Sequence, residues 1–417
     1  MKQSKVVAVT GTKGKTTVVT VLAEVLRALT KKDTIHVTTT GHFVNGERRS
    51  TLDESLATWG LVPSVCPGRY LYESLSFKER GVAVLESSLG SSSINGMGYS
   101  WHEVGIFLNV FKDHIGNSSR IKSQADILKA KKFIFTRIRR HEGWGVYNAD
   151  DALICSAVPD IDPSVRLVSF GLADVAASER HVFVKDGMVT YRTADKRLVS
   201  VVALADVSWT FQGLYEPSVY NLLAVVAGVI AFHEGNLPHV LSEILTKIKL
   251  DPYGGRLTLL RNKEGVRILA DYAHEEQSLC AVGELARALA GDGGQVIGVV
   301  RLAYDRTEQH IAETAKGIAK SFDRFVVYDK IDGYYRLPNT QLQSKLFTQE
   351  VGKVSELLAD QLSANGAAKV DRILREDEAI TFAAKEARAG DVVVHIVNDD
   401  ITRSVNWLRE YFGADFV

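Results

Sequence analysis

The chain has 417 residues, with Lys plus Arg and Asp plus Glu balanced at 50 each. That length exceeds one ordinary core, so two domains are expected. The balanced charge supplies no global field for nucleic acid or an anionic membrane. No stretch approaches the roughly 20 apolar residues of a membrane span, and the apolar run near the N-terminus is too short for a signal peptide. Cys66, Cys155 and Cys280 are widely spaced. They suggest neither a zinc cluster nor a disulfide framework and fit a reducing compartment. A cytoplasmic enzyme is expected, with no nucleic acid and no membrane among its partners.

In chain order, Lys5–Thr10 (KVVAVT) is a β-branched run that predicts a buried strand. A glycine-containing loop, Gly11–Thr17, follows it. Val19, Leu22, Val25 and Leu26 then share one face of a helix over 16–29. Short apolar runs at 82–85, 105–110 and 144–147 read as further strands, with a loop over 87–99 and a helix over 123–137. Asp186-Gly187 between 181–184 and 188–192 is a hairpin signal, and predicts a small β appendage near 165–210. Helices are expected over 220–232 and 239–248.

Asp251-Pro252-Tyr253-Gly254-Gly255 breaks the pattern and marks a boundary. The expected domains are 1–250 and 251–417. Beyond the boundary, strands at 256–260, 266–270, 296–300, 324–328 and 392–396 alternate with helices at 277–290, 307–321, 351–362 and 376–387. Alternation of this kind implies an α/β fold with a mainly parallel sheet.

Gly11-Thr12-Lys13-Gly14-Lys15-Thr16-Thr17 carries the clearest chemistry. Its glycines let backbone N–H groups converge on phosphate oxygens, Lys15 supplies a point charge, and the Thr16 hydroxyl can ligate Mg²⁺. The helix N-terminus adds its dipole. Val9 stands where the generic phosphate-loop pattern begins with glycine, and a tight turn that binds nothing is the alternative. Glu86 ends a predicted strand, on the edge where α/β sheets bind ligands. His114 follows another strand. Together they offer a divalent-metal site, although Glu86 could equally cap a turn, and a lone histidine is more often structural.

The segment Thr10–Thr17 (TGTKGKTT) resembles the TGTNGKTT signature of the Mur ligases. That family includes peptidoglycan amino-acid ligases, folylpolyglutamate synthase and the C-terminal part of cyanophycin synthetase, with the resemblance to the last spanning nearly the whole chain. Residues 108–116 (LNVFKDHIG) resemble the family's TNIxxDHLG, and residues 130–135 its AKxxIF. The resemblance implies a P-loop central domain plus a Rossmann-like C-terminal α/β domain, without the N-terminal domains that the peptidoglycan ligases and cyanophycin synthetase carry. It implies ATP and Mg²⁺ as cofactors, with Glu86 and His114 at the metal. Lys131 becomes the lysine often carbamylated in the family. An exposed helix lysine is the alternative, with Lys132 the neighbour most easily confused with it.

In the second half, Gly255-Arg256 and Asp271-Tyr272-Ala273-His274 resemble the family's GR…DYAH pattern. The match implies that Arg256 meets the nucleotide phosphates and that Asp271 and His274 face the active site. Asp271 and Arg256 could instead form an ion pair. Asn221 matches an adenine-contacting asparagine. The pattern departs from the family after Glu86, where Ser87-Ser88-Leu89 replaces an arginine and glycines, and after His274, where Glu275-Glu276 replaces Asn-Pro. Those two acids would attract a basic amine, or else sit at a helix N-terminus.

The implied function is ATP-dependent formation of an amide between a small-molecule or peptide carboxylate and an amine or amino acid, through an acyl phosphate. A P-loop ATPase or partner subunit, or a peptide-binding module, is the alternative. A homo-oligomer and a separate partner subunit are both left open.

Overall fold

The computed structural model describes residues 5–72, 81–89, 96–112, 121–250, 257–303, 306–329, 352–398 and 401–417. The chain divides into two compact units, Met1–Leu250 and Asp251–Val417.

Unit 1 opens with β1 (Lys5–Thr10), whose β-branched residues are buried, and α1 (Lys15–Thr30). Val18, Val19, Val21, Leu22, Val25 and Leu26 give α1 its buried face. Three strands follow that the apolar pattern does not announce: β2 (Thr34–Thr38), β3 (Gly41–Val44) and β4 (Glu47–Thr51). Their buried positions include Thr34, His36, Thr38 and His42, so hydropathy hides them. His36 stacks on Phe43 with ring centroids 4.4 Å apart. Burial, then the charge of His42, depresses the His36 pKa to about 3, so the ring packs as a neutral aromatic.

After α2 (Leu52–Trp59) come β5 (Val82–Glu86), β6 (Val104–Phe107), α3 (Gln124–Lys131), α4 (Phe133–Thr136), β7 (Trp144–Asn148) and α5 (Ala152–Ala157). The helix expected over 123–137 is thus two helices meeting at Lys132. β8 (Arg166–Phe170), β9 (His181–Lys185), β10 (Met188–Arg192) and β11 (Leu198–Ala203) complete the strands. Asp186 and Gly187 both take positive φ in the β9–β10 turn, as the Asp-Gly signal requires. These strands extend the main sheet and do not form a separate one. The sheet order is β11-β10-β9-β8-β7-β6-β1-β5-β2-β3-β4, parallel from β9 to β2 and antiparallel at both flanks.

Two helices close unit 1. α6 (Glu216–Phe232) is apolar nearly all round and packs into the same core as α1. It starts four residues before its predicted onset, because Pro217 is tolerated in a first turn. α7 (Leu241–Lys247) follows.

Unit 2 contains β12 (Thr258–Arg261), β13 (Arg267–Asp271), α8 (Glu276–Leu289), β14 (Val296–Val300), α9 (Glu308–Ile318) and β15 (Arg324–Val327). It continues with α10 (Lys353–Ala364), β16 (Val370–Arg372), α11 (Glu376–Glu386), β17 (Val392–Ile396), α12 (Ile401–Phe412) and β18 (Asp415–Phe416). Its order is β16-β15-β14-β17-β13-β12-β18, parallel from β16 to β13. The chain leaves β13 for β14 and later inserts β17 between them. The carboxyl ends of these strands therefore flank a topological switch point, where such sheets bind ligands. Among the described residues no helix is long and apolar enough to cross a membrane.

Candidate active site

At the carboxyl end of β1 the chain turns through Gly11–Gly14 into α1. β6 stops at Phe107, short of the expected 110, because Asn109 leaves the ladder to serve this turn. Its Oδ1 accepts from the backbone N–H of Thr12 (2.9 Å) and of Lys13 (2.8 Å), and its carbonyl accepts from Thr12 as well. The Thr12 hydroxyl oxygen in turn accepts from the Phe111 N–H at 3.0 Å. Asn109 thus fixes the loop's shape, a role that its position in an apolar run does not disclose.

Gly14 has φ of 81°, and a Cβ there would lie 2.2 Å from Asn221 Oδ1. Only glycine satisfies both demands. α1 has no side-chain cap at Gly14, so no capping side chain takes up the N–H groups of its first turn. Lys15 Nζ donates to the Thr12 carbonyl at 2.8 Å, curling back over the loop. Thr16 and Thr17 are buried in the first turn.

Glu86, the last residue of β5, is 1% exposed. Its Oε2 accepts from the Thr16 hydroxyl at 2.9 Å and from the Thr39 N–H at 3.2 Å. Its Oε1 accepts from the Thr39 hydroxyl at 2.8 Å. All three donors are neutral, and no ion pair to Glu86 occurs among the described residues. A buried carboxylate without a cation is costly. An acid at this position, touching the hydroxyl that follows the loop lysine, fits a divalent cation with oxygen ligands.

Lys131 is 3% exposed, and its Nζ donates to the Gly11 carbonyl at 2.8 Å. It is therefore no solvated helix lysine, whereas Lys132 pairs with Asp160 at the surface. As an ammonium Lys131 braces the loop and cannot ligate a metal. Asn221, on α6, lies against Gly14. The segment 148–151 braces the same edge: Asn148 Nδ2 donates to the Leu108 carbonyl, and Asp151 accepts from the Val110 N–H and caps α5. His114 and Arg256 lie outside the described residues.

In unit 2, Asp271 holds its own loop, accepting from the N–H groups of Ala273 (2.7 Å) and Leu257 (2.9 Å). His274 Nδ1 bonds the Tyr272 carbonyl at 2.7 Å, which makes that nitrogen the protonated one. Glu275 is buried, and its carboxylate caps α8 by accepting from the N–H groups of Gln277 and Ser278 and from the Ser278 hydroxyl. A carboxylate so engaged is a cap, which removes Glu275 from the expected attraction of a basic amine. Arg301, at the end of β14, is 3% exposed and clamps the carbonyls of Val397 and Asn398.

Strand, glycine turn, helix N-terminus and a buried strand-end acid define a P-loop nucleotide-binding α/β protein in unit 1. Residues 9–229 match the Mur ligase middle domain and residues 255–396 the Mur ligase glutamate ligase domain, so the chain belongs to the Mur ligase family. It is 27% identical over 423 residues to cyanophycin synthetase from Crocosphaera subtropica, covering 97% of this chain but only 43% of that protein. The chain thus spans less than half the length of that relative. Among solved structures it resembles E. coli FolC in complex with DHPP and ADP (TM-score 0.65, 17% identity, covering 98% of this chain and 90% of that one). It also resembles the bifunctional folylpolyglutamate synthase/dihydrofolate synthase from Yersinia pestis complexed with AMPPNP and Mn ion (TM-score 0.59, 16% identity, covering 94% and 85%).

Proposed function

We propose that the chain is an ATP-dependent ligase that joins a carboxylate to an amine or amino acid as an amide, releasing ADP and phosphate. The observation that carries this reading is Glu86, a buried acid held by neutral donors at the mouth of a phosphate loop. ATP is the proposed phosphoryl donor and Mg²⁺ the proposed cation, in line with the ADP, AMPPNP and Mn ion bound by the two structural neighbours.

Thr16 and Glu86 would hold Mg²⁺, with His114 as a further ligand and Lys131 only if carbamylated. When bound, the cation neutralises charge on the triphosphate. The chain's own residues do the rest. The Gly11–Thr17 backbone and Lys15 hold the phosphates, and Asn109 keeps that backbone in shape. Asn221 stands at the position proposed for adenine. A substrate carboxylate oxygen attacks the γ-phosphorus, and the bond to ADP breaks. The amine nitrogen then attacks the acyl carbon, loses a proton and expels phosphate. Positioning and charge neutralisation supply most of the rate. Arg256, Asp271 and His274 are proposed as further site residues, carried by unit 2.

Phosphate release from MgATP across a panel of amino acids and short acidic peptides, with and without amines, tests the reading. Release that needs both an acid and an amine, with a new amide by mass, is expected. Steady release indifferent to both would instead mark a P-loop ATPase.

A further inference from the structure

Glu86 is oriented by a polar chain reaching it from the end of the neighbouring strand, β2. β2 and β5 run parallel, and the register that pairs Val37 with Leu85 brings Thr39 level with the end of β5. Thr39 gives Glu86 two bonds, its N–H to Oε2 and its hydroxyl to Oε1, so it engages both carboxylate oxygens. The second link is Ser64, 1% exposed in the turn Pro63–Val65, whose Oγ lies 3.1 Å from Thr39 Oγ1.

Proton direction along this chain is forced. An ionised carboxylate only accepts, and a hydroxyl has one hydrogen. The Thr39 hydroxyl therefore donates to Glu86, and the Ser64 hydroxyl must donate to Thr39. The Ser64 carbonyl accepts in turn from the Ser88 N–H at 3.1 Å, two residues beyond Glu86. The chain thus closes into a ring on the strand end that carries the acid. A carboxylate pinned on both oxygens cannot rotate freely about its last torsion. The edge that Thr16 also touches stays directed at the phosphate loop.

We propose that Thr39, itself oriented by Ser64, is a positioning residue that sets the Glu86 carboxylate and thereby the affinity of the phosphate-loop site for a divalent cation. This rests on the reading of Glu86 as a metal-binding acid. Thr39 touches neither nucleotide nor metal in this account; it acts through Glu86.

The test is a titration of Mn²⁺ onto the AMPPNP-bound protein, followed by electron paramagnetic resonance of the free ion. Thr39→Val removes the hydroxyl and keeps the shape. It is expected to weaken Mn²⁺ binding about tenfold, the lower range for losing an outer-shell partner of a metal ligand. Thr39→Ser should stay within about twofold of wild type, and Ser64→Ala should fall between the two. AMPPNP affinity measured without metal should be the same in all, which also shows each variant to be folded. Mn²⁺ affinity unchanged in Thr39→Val, or as weak in Thr39→Ser as in Thr39→Val, would overturn the proposal while leaving Glu86 its role. Wild-type protein that binds AMPPNP but no Mn²⁺ would overturn both.

Discussion

Two buried acids, one in each unit, have opposite surroundings. Glu376 opens α11 and accepts from His395 Nε2 (3.1 Å), the Asn398 N–H (3.1 Å) and the Ser404 hydroxyl (3.0 Å). Burial raises its pKa, but the hydrogen bond and charge of His395, with Asn398 and Ser404, outweigh that and leave it below the ordinary carboxylate value. Glu86 has three neutral donors and, among the described residues, no ion pair. Glu376 is complete within the fold and ties α11 to β17 and α12. Glu86 is held in place without an ion pair among the described residues, which suits the proposed role of an acid kept for a cation that arrives with the nucleotide. Burial alone marks neither as functional. The identity of the partners separates them.

Removing each acid should break the protein in a different way. Glu86→Ala is expected to lower ligase turnover by about 10²–10³-fold, the scale for losing one preorganised electrostatic contact. Its thermal midpoint should fall less than that of Glu376→Ala, because the three donors left without an acceptor are offset by removing a buried acid that has no ion pair among the described residues. Comparable turnover in the variant would remove Glu86 from the site. Glu376→Ala should instead cost about 2–3 kcal/mol of unit 2 stability, because His395, Asn398 and Ser404 lose their acceptor. Urea unfolding would measure this, and metal-free AMPPNP affinity should not change. A stability unchanged by the substitution would make Glu376 the equal of Glu86.

Acid should sharpen the contrast with a smaller effect. His36 is depressed to about 3 and His42 to about 4, the latter by burial and then by the charge of Arg49. His102 is also depressed to about 4, by burial more than its bond to the Ile134 carbonyl restores. Each stays neutral in the fold while the unfolded chain takes up a proton below about 6.5. Unit 1 therefore loses about 1.4 kcal/mol per pH unit for each such histidine as pH falls from about 6.5 towards 4. The depressed Glu376 behaves otherwise: its contribution is present above the ordinary carboxylate pKa of 4.5 and fades only as pH falls through its lower folded value. Hydrogen exchange between pH 7 and 4.5 should show unit 1 opening first. Unit 2 opening first would contradict this.

Sequence disclosed the parts of the fold that hydropathy encodes. KVVAVT followed by a glycine turn could be little else than a strand feeding a helix, and Asp186-Gly187 named its hairpin. β2 and β3 escaped because threonines and neutral histidines share their buried positions with the apolar residues and look polar in one dimension, and β4 escaped because none of its residues is buried. At the site, Gly14, Lys15, Thr16 and Glu86 were legible as residue types with obvious phosphate or metal chemistry. Asn109 and Thr39 were not. Asn109 acts because it leaves a strand early, and Thr39 because parallel register sets it beside Glu86; neither fact is local in sequence. Glu275 was legible only as a choice between attracting an amine and sitting at a helix N-terminus, and the N–H groups it caps decide for the second.

The central claim is an acyl phosphate made by transfer from ATP to a substrate carboxylate. It is tested most directly by labelling both carboxylate oxygens of the acid with ¹⁸O and examining the inorganic phosphate released when the amide forms. The account predicts one ¹⁸O atom in each phosphate, carried over from the carboxylate. Unlabelled phosphate, released alongside amide, would contradict it.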